Sequence, residues 1–166
     1  MATVLELAAA QPPALIRLDP ALEDQEQEWR CIYILSQVRA RFETDLPTWV
    51  SQWRVEQSPT QQLDALLEVF CSGETLTFGP QFKPLVHLND GIWELKTPDL
   101  RIFGWFPQKD CFIAGALDTA FNVKSYNLYR GHANVVAHHR DQLDLNAPKF
   151  IAGDDPNNVV SNYNYP

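Results

Sequence analysis

Nowhere in the 166 residues does an apolar run approach the roughly 18 residues that a membrane-crossing helix needs. The sequence therefore predicts a chain with no membrane span. The short apolar run Val4 to Ala10 carries Glu6 and lacks a basic start, so it makes a poor signal peptide, and a cytoplasmic protein is expected. Cysteine is scarce: Cys31, Cys71 and Cys111 are widely spaced, odd in number and free of any CxxC pair. Three reduced, largely buried thiols are the expectation. No nucleotide-binding loop, nucleophile motif, internal repeat or metal-ligand cluster is legible, so most enzyme classes fall away and neither cofactor nor metal is implied. His138 and His139 are adjacent, not four apart, and on a helix would point about 100° from each other. Asp154-Asp155 lies in an Asn/Pro-rich stretch and reads as a solvated loop.

Positive charge is also in short supply, and it is unevenly placed. Residues 1–81 hold 5 Lys/Arg against 12 Asp/Glu, residues 82–150 hold 8 against 7 together with all four histidines, and residues 151–166 hold two acids and no base. A nucleic-acid binder neutralises phosphates with a basic footprint, so only the second half of this chain could provide one.

What is present reads as α+β. Gln11-Pro12-Pro13 breaks the chain early, which makes residues 1–18 a loose arm. From Asp19 to Arg41 the spacing of Trp29, Ile32, Tyr33 and Val38 predicts a helix, with Asp19-Pro20 as its start, acids (Glu23, Asp24, Glu26, Glu28) near that end and Arg39 and Arg41 at the other. Thr48 to Val55 predicts a short second helix. Ser58-Pro59 opens the clearest one, with Leu63, Leu66, Leu67 and Phe70 on one face and Gly73 as its stop. The period then changes. Ile92 to Lys96, Leu100 to Phe106 and Cys111 to Leu117 are short, rich in branched and aromatic residues, and joined by turn signals, which predicts an antiparallel meander. Val123 to Leu143 predicts a C-terminal helix interrupted near Gly131, and the tail from Gly153 predicts loop. The expected organisation is one domain over residues 19–150, with an acidic helical N-terminal extension and a polar tail, 151–166.

One segment is more specific. Phe82-Lys83-Pro84-Leu85 precedes Asp90-Gly91-Ile92-Trp93-Glu94-Leu95-Lys96 and then Leu100-Arg101-Ile102-Phe103. This resembles RelE/HigB-type toxins, in particular the phage-derived branch of that superfamily, in which K-P-L is followed by G-x-W-E-L-[RK], a tight turn and R-[IV]-[FY]. The resemblance covers about 25 residues and implies N-terminal helices, a small antiparallel meander and a C-terminal helix. It also implies an mRNA endoribonuclease of a toxin–antitoxin system, with an antitoxin protein and ribosome-bound mRNA as partners. Such cleavage needs a group that takes the 2′-hydroxyl proton, cations for the charge on phosphorus and an acid for the leaving oxygen.

Carried onto this sequence, Lys96 and Arg101 stand where the family places cations, on facing strands beside the turn 97–100. Lys124, Tyr129 and His132 are the further catalytic candidates, and Lys83 and Arg130 the RNA-binding ones. The chain departs from the pattern where the family has a basic cluster after its third strand: residues 118–124 contain Asp118 and only one base, Lys124. A second function therefore stays open, a catalytically inactive phage or mobile-element protein acting by protein–protein interaction through its acidic half. Trp49 and Trp53 could contribute to such a partner surface.

Overall fold

The computed structural model describes residues 1–85 and 87–166. Helix α1, Val4–Ala9, is short but closed by a full capping box between Thr3 and Glu6, and it buries Leu7. Strand β1, Leu15–Arg17, follows, and then β2, Cys31–Leu35. Helix α2, Pro59–Ser72, starts on Ser58, whose hydroxyl accepts from the Gln61 N–H, and ends on Gly73 in the left-handed region at φ 81°. Next come β3, Leu76–Thr77, β4, Phe82–Pro84, β5, Ile92–Lys96, β6, Leu100–Gln108, and β7, Cys111–Thr119. The chain closes with α3, Ala120–Ser125, α4, Tyr129–Gln142, α5, Pro156–Val159, and β8, Tyr163–Asn164.

Six strands form one mixed sheet in the order β1-β2-β7-β6-β5-β4, and β3 pairs with β8 in a separate small one. All neighbours in the large sheet are antiparallel except β2 and β7, which run parallel with Cys31 opposite Cys111. The RelE-like arrangement expected from the sequence is thereby corrected. The meander of β5, β6 and β7 forms, but it is the middle of a six-stranded mixed sheet, and the segment expected to be its long leading helix supplies the strand β2. The helical reading of 19–41 fails for a physical reason. Cys31 to Leu35 are five consecutive apolar residues, four of them buried, and such a run suits a central strand covered on both faces. The acids that were to open the helix lie in irregular, exposed backbone over residues 23–28. Residues 49–55 likewise form no regular helix.

Two cores flank the sheet. Leu63, Leu66, Leu67 and Phe70 of α2 pack with Ile32, Ile34, Trp93, Leu95, Ile102 and Phe112 on one face. On the other, Val123 of α3 and Ala133 and Val136 of α4 pack with Tyr33, Leu35, Phe103, Trp105 and Ile113. Alternate residues of one strand serve opposite cores, the period of two that a strand imposes. A bulge between β6 and β7 leaves Gly115 as the extra residue, since Phe103 faces Ala116 while Gly104 faces Ala114. The break between the last two long helices falls at residues 126–128, before Gly131, which sits inside the first turn of α4. The C-terminal stretch also packs: Val159 and Val160 are buried, and Asp110 donates its N–H to the Val159 carbonyl at 2.8 Å. Among the described residues no helix is long and apolar enough to cross a membrane.

Candidate functional site

Alternation along β5 puts Ile92, Glu94 and Lys96 on the sheet face that α4 covers. Across the ladder Lys83 of β4 is the register partner of Glu94, and Arg101 of β6 is the partner of Lys96. Lys83 of β4 and Glu94 and Lys96 of β5 lie near the first turn of α4, which begins at Tyr129 without a side-chain cap. The cleft between them has a volume of about 350 Å³ and is lined by Lys83, His87, Glu94, Lys96, Tyr129 and Arg130, among others. That size lies within the range of roughly 300–1,000 Å³ usual for small-ligand sites.

Glu94 is the unusual member. It is 2% exposed, and its Oε2 has no hydrogen-bond partner among the described residues. Burial pushes its carboxyl above the ordinary range, and the positive charges of Lys96, Arg101, Lys83 and Lys124 oppose that rise without cancelling it. Lys96 is shifted the other way: burial lowers its ammonium, and nearby Glu94 counteracts part of the effect. A buried polar atom left unpaired is costly. A buried carboxylic acid with a raised pKa in a cleft of cations has the attributes of a functional group.

The other sequence-derived candidates divide. Lys83, Lys96, Tyr129 and Arg130 come together in the cleft. Arg101 is 5% exposed and turns onto the hairpin tip, where its Nη1 donates to the carbonyls of Thr97 at 2.6 Å and Leu100 at 2.8 Å. Lys124 is exposed and sits over the Trp53 ring, 5.4 Å from its centroid. His132 stacks on Phe103 at 4.8 Å and its Nε2 lies 2.9 Å from Asp118 Oδ2.

Asp118, which the sequence suggests as a misplaced negative charge, is in fact an organising group. Its carboxylate meets His132, Arg41 Nη2 at 3.3 Å, the Thr119 N–H at 2.7 Å and Asn122 Nδ2 at 3.2 Å. Burial alone would raise its pKa, but the hydrogen bonds from His132, Thr119 and Asn122 prevail and hold it below the usual carboxylate range. Arg41 covers it further by stacking on Trp49 at 4.7 Å. The His132–Asp118 pair thus ties α4 to the end of β7, beside the cleft and not as a wall of it.

Sequence reasoning passes over two members of the cleft. Glu94 stands in the G-x-W-E-L run, and its alternation with Lys96 was the available signal that both share one face. His87 lies in the loop directly after the Lys83-Pro84-Leu85 motif, where functional residues concentrate. Among the described residues no group of three His, Cys, Asp or Glu side chains is placed to hold a metal ion. Compared with known proteins, the chain matches no family model, no curated protein and no solved structure.

Proposed function

We propose that the cleft between β4, β5 and the first turn of α4 cleaves RNA by attack of a 2′-hydroxyl on the adjacent phosphodiester. The observation that carries this reading is Glu94: a buried carboxyl with an unpaired oxygen, set among Lys83, Lys96 and Arg130. Glu94 in its ionised form takes the 2′-hydroxyl proton, and its raised pKa makes it a stronger base than an ordinary carboxylate. The 2′-oxygen then bonds to phosphorus as the bond from phosphorus to the 5′-oxygen breaks. Lys83, Lys96 and Arg130 oppose the charge that builds on the non-bridging oxygens, and the uncapped N-terminus of α4 adds its positive dipole end. His87, exposed on the cleft rim, delivers a proton to the departing 5′-oxygen and is regenerated as Glu94 loses the one it took. Tyr129 offers a ring for a base to stack on.

The purified protein should cut a single-stranded RNA to fragments ending in a 2′,3′-cyclic phosphate and a 5′-hydroxyl, and should leave the same sequence in DNA intact. Glu94→Gln keeps the shape but cannot accept the proton, and should lower the rate by roughly 10² to 10⁴. Cleavage of the DNA strand, or a Glu94→Gln enzyme as fast as the parent, sinks the proposal. The alternative of an interaction protein draws support from the exposed acids Glu23, Asp24 and Glu26 beside Trp29, which is 62% exposed. It has an irregular acidic segment in place of an acidic helix. Under that reading Glu23→Gln, Asp24→Asn and Glu26→Gln together abolish partner capture while Glu94→Gln does nothing.

A further inference from the structure

A second cavity, of about 430 Å³, lies across Lys96 from the first, and Lys96 lines both. Its far wall is the Ala65, Leu66 and Val69 side of α2, its floor is Pro98 of the hairpin turn, and its polar rim is Gln57, Gln81 and Arg101. None of these residues takes part in the chemistry proposed above. Two features make the cavity a built site. Arg101 is 95% withdrawn from solvent, its Nη1 is held by two backbone carbonyls, and its Nε has no partner among the described residues. Gln81 is oriented by its Oε1, which accepts the Thr77 N–H at 2.7 Å, and this leaves its amide N–H groups free to donate. Gln62, by contrast, is fully engaged with Asp99, Thr97 and the Gln57 carbonyl, and so serves as scaffold.

Apolar walls, an oriented amide donor in Gln81 and the Arg101 guanidinium at the rim suit an unpaired nucleobase, whose faces are apolar and whose edges carry carbonyl and ring-nitrogen acceptors. We infer that this cavity is the base-binding subsite of the same site, holding the base of a nucleotide whose phosphate reaches Lys96, so that the substrate is single-stranded RNA with an unpaired base next to the cut. The inference rests on the ribonuclease reading. It places Arg101 in recognition of the substrate, away from the reacting atoms. Double-stranded RNA is excluded as substrate, because its bases cannot leave the helix to enter a pocket between a helix and a sheet edge without unpairing.

The test is equilibrium titration of the full chain with the four nucleoside 5′-monophosphates and with ribose 5-phosphate, which has the phosphate and sugar but no base. At least one nucleotide should bind about tenfold more tightly than ribose 5-phosphate. Ala65→Phe, which fills the cavity from α2, should reduce that difference to about twofold or less. Gln81→Leu, a second variant that does not depend on α2 tolerating the larger ring, should shift the preference among the four bases. Equal binding of nucleotides and ribose 5-phosphate by the parent protein overturns the inference. So does full discrimination retained in Gln81→Leu and in a folded Ala65→Phe. Glu94→Gln separates the two readings. If it cleaves as fast as the parent while base discrimination stands, the assignment of Glu94 as the base fails and the nucleotide cavity survives. If it is dead while discrimination is absent, the reverse holds.

Discussion

Glu94 ionises in a place where burial opposes its charge, and this has a consequence for stability as well as for chemistry. Its folded pKa lies above its unfolded value, so the folded state holds the proton more tightly than the unfolded one does. The stability it contributes is therefore fully present below the ordinary carboxylate pKa and is lost as pH rises through the raised value. Glutamine has the same shape without the titration. Glu94→Gln should accordingly gain stability relative to the parent between pH 4 and pH 7, and thermal melts of both proteins across that range check it. A melting difference that is flat, or that moves against the variant as pH rises, contradicts the burial argument.

At the scale of elements, the β5–β6–β7 meander is the part of the fold most plainly written in the sequence. Its strands alternate and its turns carry Thr97-Pro98-Asp99 and Pro107 to Asp110, so local preference and tertiary placement agree. Ser58, Pro59 and Gly73 bracket α2 for the same reason. The leading strands were hidden because β2 gains its place in the sheet from β7, 80 residues further along with Cys31 opposite Cys111, and β1 in turn pairs on β2, and local spacing does not report a partner at that distance. The closeness of β6 to β7 rests on Gly104. A Cβ there would stand 2.0 Å from the Ile113 carbonyl oxygen and 2.6 Å from Phe112 Cζ. Gly104→Ala should therefore destabilise by about 3 kcal/mol or more, read from the midpoint of urea unfolding. A change under about 1 kcal/mol would mean that the two strands can separate without loss.

Across the whole molecule, the C-terminal stretch closes the base of the sheet. Val159 and Val160 are buried. Ser161 donates its N–H and hydroxyl to the two Asp110 oxygens, both at 2.8 Å, and β8 pairs with β3. Removing residues 153–166 should cost about 3–6 kcal/mol from the two valines alone. That is a large share of the 5–15 kcal/mol typical of a domain, so the shortened chain should melt far lower. An unchanged melting temperature would show that the stretch only rests on the surface. Its Asn, Asp and Pro content reads as loop, and nothing local reveals that Val159 has a place waiting in the core around Phe112 and Phe106.

By itself the sequence determined the α2 helix, the central meander and the excess of acid in the first half, because each depends on local spacing or on counting, while Lys83, Lys96, Tyr129 and Arg130 were nominated through the motif resemblance. The tertiary structure decided the parallel pairing of β2 with β7 and the helices on both faces. It also joined those four residues into one cleft, withdrew Arg101, Lys124 and His132 from it, and set Glu94 at its centre. The physical reason is burial. Charge can be counted along a chain, but the desolvation that raises the Glu94 pKa exists only once β4, β5 and α4 have closed around it.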